Sequence, residues 1–204
     1  MIKKVIAAFA VILATAIAAV PGMASEYKEG DDYKVLDTPK SEKPEIREFF
    51  SFYCGHCFQM QEPFGKLADA YKDKAEFVMN PVNVLGGDMG VASEQAYAVA
   101  LVEGVGDEFK KELFDSIHVK QDNPVMADYF LQKLAEVGVP HDTAVAQLNS
   151  FVVKGMTAKW DKLMADSKIE AVPEIIVNGK YQVNMDKLNS VDDLINVVGY
   201  LLTL

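Results

Sequence analysis

Two cysteines stand three positions apart in the segment Cys54-Gly55-His56-Cys57, and the chain has no others. A disulfide across so short a span closes a tiny ring and restrains little of the unfolded chain, so stability is a poor reason for it. Reactivity is the better explanation. The flanking residues say where the pair sits. Ile46 to Tyr53 is dense in aromatic and aliphatic side chains and reads as a buried strand. Phe58, Met60, Phe64, Leu67, Ala68 and Tyr71 then recur at helical spacing, with Pro63 expected to kink that helix. The cysteines therefore fall at the end of a strand, where a helix begins.

That placement has chemical consequences. A helix start presents unpaired N–H groups and a partial positive charge. Both favour thiolate over thiol and lower the cysteine pKa. The spacing puts Cys57 one turn below Cys54, close enough to pair with it. Cys54 is then the solvent-facing attacking sulfur and Cys57 the resolving one. His56 adds a donor or positive charge, and Gly55 leaves the approach path open. A stabilised thiolate leaves well and stabilises the reduced form, so the protein tends to hand its disulfide on. Potentials of such motifs run from about −270 mV to about −120 mV, and the histidine places this one toward the oxidising half. Zinc binding is the competing use of a Cys pair, but zinc takes four ligands. There is no third cysteine, and His118 and His141 form no ligand-spaced cluster. No metal and no cofactor are expected.

The N-terminus reads as an export signal. Lys3 and Lys4 precede an apolar run from Val5 to Val20, then Pro21-Gly22 and small Ala24 and Ser25. The alternative, a permanent anchor, wants roughly 20 apolar residues, and this run is shorter. Residues 1–24 are therefore read as a removed signal peptide, which implies an oxidising compartment. The formal charge of −10 becomes more negative once Lys3 and Lys4 leave. Nucleic acid and anionic membrane surfaces both reward cations, so neither is an expected partner. A solvated acidic surface explains the charge.

Beyond the cysteine helix, Glu76 to Val84 reads as a second strand ended by Gly86-Gly87. Residues 25–44 look like a surface lead-in. From Met89 to about Gln147 the pattern is helical, with segments near 91–103, 107–118, 124–137 and 141–149. Asp107, Asn123 and His141-Asp142 supply start signals. A long helix over 150–168 follows. Glu174 to Val177 and Tyr181 to Val183 flank Asn178-Gly179, the strongest hairpin signal in the chain. A closing helix starts near Ser190, whose Ser-Val-Asp-Asp forms a capping box with Asp in the usual Glu/Gln place. The expected class is α/β, a thioredoxin fold with an inserted all-helical domain. Residues 25–87 and 150–204 form the thioredoxin-like part and 88–149 the insertion.

Four blocks resemble the DsbA family of periplasmic disulfide oxidases. They are Glu48 to Cys57, Gly86-Gly87-Asp88-Met89-Gly90, Asn149 to Lys154, and Val172-Pro173 with Val177 to Gln182. The resemblance implies a periplasmic monomer that oxidises reduced, unfolded exported proteins and is re-oxidised by a membrane partner of the DsbB type. It implies that Pro173 is cis, a form X-Pro bonds adopt at modest cost. It also implies that Val172 presents backbone to the client. Glu48 becomes a buried acid under Cys57 that moves protons; without the resemblance it reads as an edge-strand carboxylate. The sequence departs from the family twice. Gly-His stands between the cysteines where Pro-His is standard, the dipeptide of protein disulfide isomerase. Met79 and Gln61 stand where a lysine and a glutamate often accompany the buried acid, so both charges are missing there and the Glu48 pKa tends upward.

Other conspicuous residues take plain readings. Trp160, Met60, Met89, Met164 and Met185 read as packing, although the methionines also suit an adaptable client groove. His118 and His141 sit at helix ends without an assigned role. An isomerase or reductase using the same pair, and a chaperone or binding module with an idle one, are the alternative functions. If thiolate stabilisation drives oxidation, the reduced protein is more stable to denaturant than the oxidised one; equal or reversed midpoints in urea titrations of the two forms would contradict a strongly oxidising role.

Overall fold

A computed structural model describes residues 27–204. The expected signal peptide, residues 1–24, lies outside the described residues. Strand β1 is Tyr33–Val35 and strand β2 is Glu45–Phe50. Side chains alternate along a strand, so Ile46, Glu48 and Phe50 share one face of β2 and Arg47 and Phe49 the other. Ile46, Phe49 and Phe50 are fully buried, so β2 is covered on both faces. Helix α1 (Gly55–Gln59) follows, then α2 (Gln61–Tyr71) and strand β3 (Glu76–Pro81), parallel to β2. A parallel pair needs such a crossover. The cysteine helix is broken at Met60, not kinked at Pro63. Pro63 sits in the first turn of α2, where its missing N–H has no intrahelical partner to lose.

Helices α3 (Asp88–Val102), α4 (Gly106–His118), α5 (Asp128–Glu136) and α6 (His141–Leu148) come next, then α7 (Phe151–Asp166). Helix α5 starts later than expected, so Asn123 caps nothing. Helix α3 packs against α4, α5, α6 and α7. It is accordingly apolar nearly all round, with Ala96 to Ala100 buried. Ser150 caps α7 by accepting from the Val153 N–H at 3.2 Å.

Strands β4 (Glu174–Val177) and β5 (Tyr181–Val183) form the expected hairpin. Asn178 and Gly179 both have positive φ, 52° and 67°, the signature of a type I′ turn. Helix α8 (Val191–Leu201) closes the chain. Ser190 accepts from the Asp193 N–H at 3.1 Å, while the Asp193 carboxylate reaches back to the Asn189 N–H at 3.0 Å. The sheet order is β1-β5-β4-β2-β3. The lead-in thus contains a strand that sequence reading missed. Three residues are too few to show a period, and the partner of Tyr33 is distant Val183.

One cluster joins Ile46, Ile175 and Val177 of the sheet to α2 and α8. On the other face Phe49 and Ile176 pack with Leu36, Val82 and Ile169, backed by Leu163 and Met164 of α7. A third cluster runs from Phe50 and Phe52 through both cysteines into Phe109, Leu113, Phe114 and Trp160. Sheet, redox pair and helical insertion therefore share one core. Aromatic contacts hold that junction: Phe52 lies 5.1 Å from Phe114 and 5.6 Å from Tyr97 by ring centroids. Truncating Phe109, fully buried on α4, to alanine is expected to cost about 3–5 kcal/mol. Because the core is shared, the loss should appear as one cooperative shift of the urea transition, with the sheet and the helices melting together.

Candidate functional site

Cys54 is the N-cap of α1, with extended backbone at φ −95° and ψ 109°. Its sulfur accepts a hydrogen bond from the Cys57 N–H at 3.0 Å. That is the position where a serine or aspartate oxygen usually caps a helix. In a helix of five residues the stabilising element is this local N–H more than a macrodipole. Cys54 and Cys57 are joined as a disulfide, with Cα atoms 5.2 Å apart. Their exposure is unequal: 6 % for Cys54 and 0 % for Cys57. The sulfur that solvent reaches is the capped one.

The loop before β4 supplies the opposite wall. Val172–Pro173 is a cis peptide. The Val172 carbonyl oxygen lies 3.5 Å from Cys54 Sγ. Proline has no N–H to place beside the sulfurs, so the wall offers an acceptor there. His56 is exposed at the helix start and lies on the rim of two concavities. One, of about 470 Å³, is lined by Val172, Pro173, Glu174 and Met185. The other, of about 460 Å³, is lined by Met60, Pro63, Met185 and Leu188. Met60 and Met185 also pack on the α2–α8 cluster, Met89 on the aromatic cluster, and Met164 of α7 on the cluster around Phe49 and Ile176. Trp160 is buried and stacks on Tyr97. Nothing lies within 4 Å of where a Gly55 side chain would begin.

Glu48 is not on an edge. β2 lies between β3 and β4, with Met79 and Ile175 as the partners of Glu48. Its side chain is buried and Oε1 has no hydrogen-bond partner. Burial pushes its carboxyl up to about 8, against a smaller lowering by the charge of Lys110. The carboxyl is thus neutral at pH 7. Gln61, which lines one cavity together with Glu48, donates through Nε2 to the Cys57 carbonyl at 3.1 Å. Met79 accepts from Lys110 Nζ at 3.3 Å and from the Tyr97 hydroxyl at 3.6 Å. The positions of the two missing charges are indeed uncharged, but a cation still arrives, from α4. Sequence reading had no signal for it, because Lys110 and Met79 meet only through the tertiary fold.

His118 is also more than a helix-end residue. Its Nε2–H donates to the Phe52 carbonyl at 2.8 Å and its ring stacks on Phe58 at 5.1 Å. It thus ties the end of α4 to the segment that leads into Cys54. Tyr53 packs against Gly86, whose φ of +81° suits glycine. A Cβ there would strike the Tyr53 ring at 2.6 Å. The family block beginning at Gly86 is thereby placed beside the site. His141 is remote from this constellation, exposed beside Asp142. Among the described residues no cluster of three or more potential metal ligands occurs.

The raised Glu48 pKa sets a pH dependence of stability. The folded state holds the proton up to about 8, whereas the unfolded chain releases it near 4.5. Stability therefore falls as pH rises through that window and is flat above it. Glu94 on α3, also pushed up to about 8 by burial, acts in the same direction. Replacing Glu48 by Gln removes one of these losses. In the oxidised protein, denaturation midpoints should show Glu48→Gln gaining on the parent as pH rises between those values, by on the order of a few kcal/mol; a constant difference across pH would show that the carboxyl is ionised throughout.

Comparison with known proteins agrees with this geometry. The model of the DSBA-like thioredoxin domain matches residues 45–196. The thiol:disulfide interchange protein DsbA of Escherichia coli K12 is 35 % identical over 176 residues, 84 % of either chain. DsbA of Dickeya dadantii is 34 % identical over 200 residues, covering 94 % of this chain and 96 % of its own. DsbA of Klebsiella pneumoniae superposes with a TM-score of 0.79 at 28 % identity, covering 89 % of this chain and all of that one. A Cys-to-Ser variant of Proteus mirabilis DsbA, solved with a non-covalently bound peptide, superposes at 0.76 and 28 % identity, covering 88 % of this chain and all of its own. A buried redox pair at a helix start, a cis-proline wall and these relatives lead to one conclusion: the chain belongs to the DSBA-like thioredoxin domain family and is a thiol:disulfide oxidoreductase whose transferable disulfide is Cys54–Cys57.

Proposed function

We propose that this oxidoreductase hands its disulfide to reduced, unfolded exported proteins in the periplasm, and is re-oxidised by a membrane partner of the DsbB type. The observation that carries the direction is the Cys57 N–H held on Cys54 Sγ at 3.0 Å. It stabilises negative charge on the sulfur that must leave. Among the described residues no helix is long and apolar enough to cross a membrane.

The cycle runs in two displacements. A client thiolate attacks Cys54 Sγ, the S–S bond to Cys57 breaks, and the electron pair leaves on Cys57. Glu48, neutral at pH 7, is the proton source for that buried thiolate, which would otherwise be a costly uncompensated charge. The client segment lies along Val172 and Pro173, where the Val172 carbonyl, 3.5 Å from Cys54 Sγ, accepts from its backbone. A second client thiolate then attacks the client sulfur of the mixed disulfide, and Cys54 leaves as the stabilised thiolate with the electron pair. The client gains one disulfide, and the protein retains both electrons as two reduced cysteines. His56 flanks both concavities and adds a donor beside Cys54. The peptide bound non-covalently to the Proteus mirabilis protein supports a peptide segment as occupant.

Residues 25–87 with 150–204 form the redox domain in this reading, residues 88–149 form a cover that shapes the client surface, and the working unit is a monomer. The exposed, unobstructed Gly55 favours one second reading, a more isomerase-like or reductase-like enzyme. Ribonuclease separates the two. A disulfide donor oxidises reduced ribonuclease stoichiometrically, whereas an isomerase reactivates scrambled ribonuclease faster. Cys54→Ser should abolish either activity, and a binding module would keep its activity. Cys54 of the reduced protein should react with iodoacetamide well below the pH at which free cysteine does; ionisation like a free thiol would end the donor reading.

A further inference from the structure

The helical insertion delivers a cation to the cavity that Glu48 lines. Lys110 projects from α4 with a side chain only 21 % exposed. Its Nζ ends 3.3 Å from Met79 Sδ, and Met79 is the cross-strand partner of Glu48. Glu48, Met79, Tyr97 and Lys110 line one cavity of about 940 Å³. A thioether is a weak acceptor, so Met79 does little to neutralise the ammonium. Glu48 Oε1 in turn has no partner. A cation and an unpartnered carboxyl oxygen thus line the same cavity. From this arrangement we infer that Lys110 is a positioning residue which sets the ionisation of Glu48, so that the insertion governs proton supply to the buried cysteine.

The other charged and titratable groups around the cavity do not take this part. Arg47 is on the same strand but the opposite face, and its guanidinium is held by the Glu45 carboxylate at 2.8 and 2.9 Å. Asp69 on α2 carries the wrong sign. Asp107 lies 4.0 Å from Lys110 Nζ, but it is 94 % exposed and screened by water. Tyr97 on α3 spends its hydroxyl on Met79. Lys159 on α7 lines the cavity and serves as the internal control. The Lys110 charge is the influence that opposes burial at Glu48.

The inference rests on the buried-acid reading of Glu48, and the test separates the two. The probe is the infrared carbonyl stretch of a neutral carboxyl in the oxidised protein, assigned as the band lost in Glu48→Gln and followed against pH. Lys110→Met should move its midpoint upward by about 1 pH unit. Lys110→Arg, which keeps the charge, should restore most of the parent midpoint, and Lys159→Gln should leave it in place. Lys110→Gln repeats the measurement if the methionine variant does not fold, as judged by circular dichroism. An unmoved midpoint in folded Lys110→Met or Lys110→Gln overturns the role of Lys110 alone. An equal shift in Lys159→Gln overturns it too, because the effect is then general field. If the parent shows no neutral carboxyl near pH 7, the Glu48 reading fails and the Lys110 inference fails with it.

Discussion

One hydrogen bond organises this molecule, that from the Cys57 N–H to Cys54 Sγ. It requires a cysteine at the cap of a helix whose first turn already contains the second cysteine. The chain must therefore leave an internal strand and enter a helix within a few residues. Phe52 anchors that turn from below in the aromatic cluster, and His118 holds the Phe52 carbonyl from the side. The break at Met60 separates the five-residue redox helix from α2, whose Phe64 and Leu67 belong to the sheet core. The redox turn is thus supported by one cluster and its continuation by another.

Glu48 shows how the same fold raises the pKa of a carboxyl by burying it. Its position is dictated by alternation, because Ile46 and Phe50 on the same face must be buried and the residue between them follows. A carboxyl placed there loses water without gaining a hydrogen-bond partner for Oε1. Such a site would be a defect in a purely structural protein, since an unsatisfied buried group costs stability. On the strand that leads into the redox turn, the proposed proton transfer to Cys57 would give such a group a use. The charge that opposes burial at Glu48, that of Lys110, comes from the inserted helices.

Much of this could be read from residues in order. The cysteine spacing, the apolar strand before it, Asn178-Gly179 and the caps at Ser150 and Ser190 are local signals, and each has a local physical cause. The family blocks placed Pro173 opposite the cysteines. What escaped reading was non-local. β1 is a strand because β5 lies beside it, Glu48 is internal because β4 joins β2, and Lys110 of α4 meets Met79 of β3 only in the folded chain. His118 carried no sequence mark either, since the carbonyl it holds belongs to a distant segment. No window along the chain contains both members of these pairs.

The unequal exposure of the two sulfurs has a bearing on chemical damage. In the reduced protein a peroxide arriving from solvent meets Cys54 first and makes it a sulfenic acid. Cys57, shielded one turn away, is placed to condense with that group, expelling water and re-forming the disulfide before further oxidation. An attack that would ruin an isolated thiol is thereby turned back into the resting state of the enzyme.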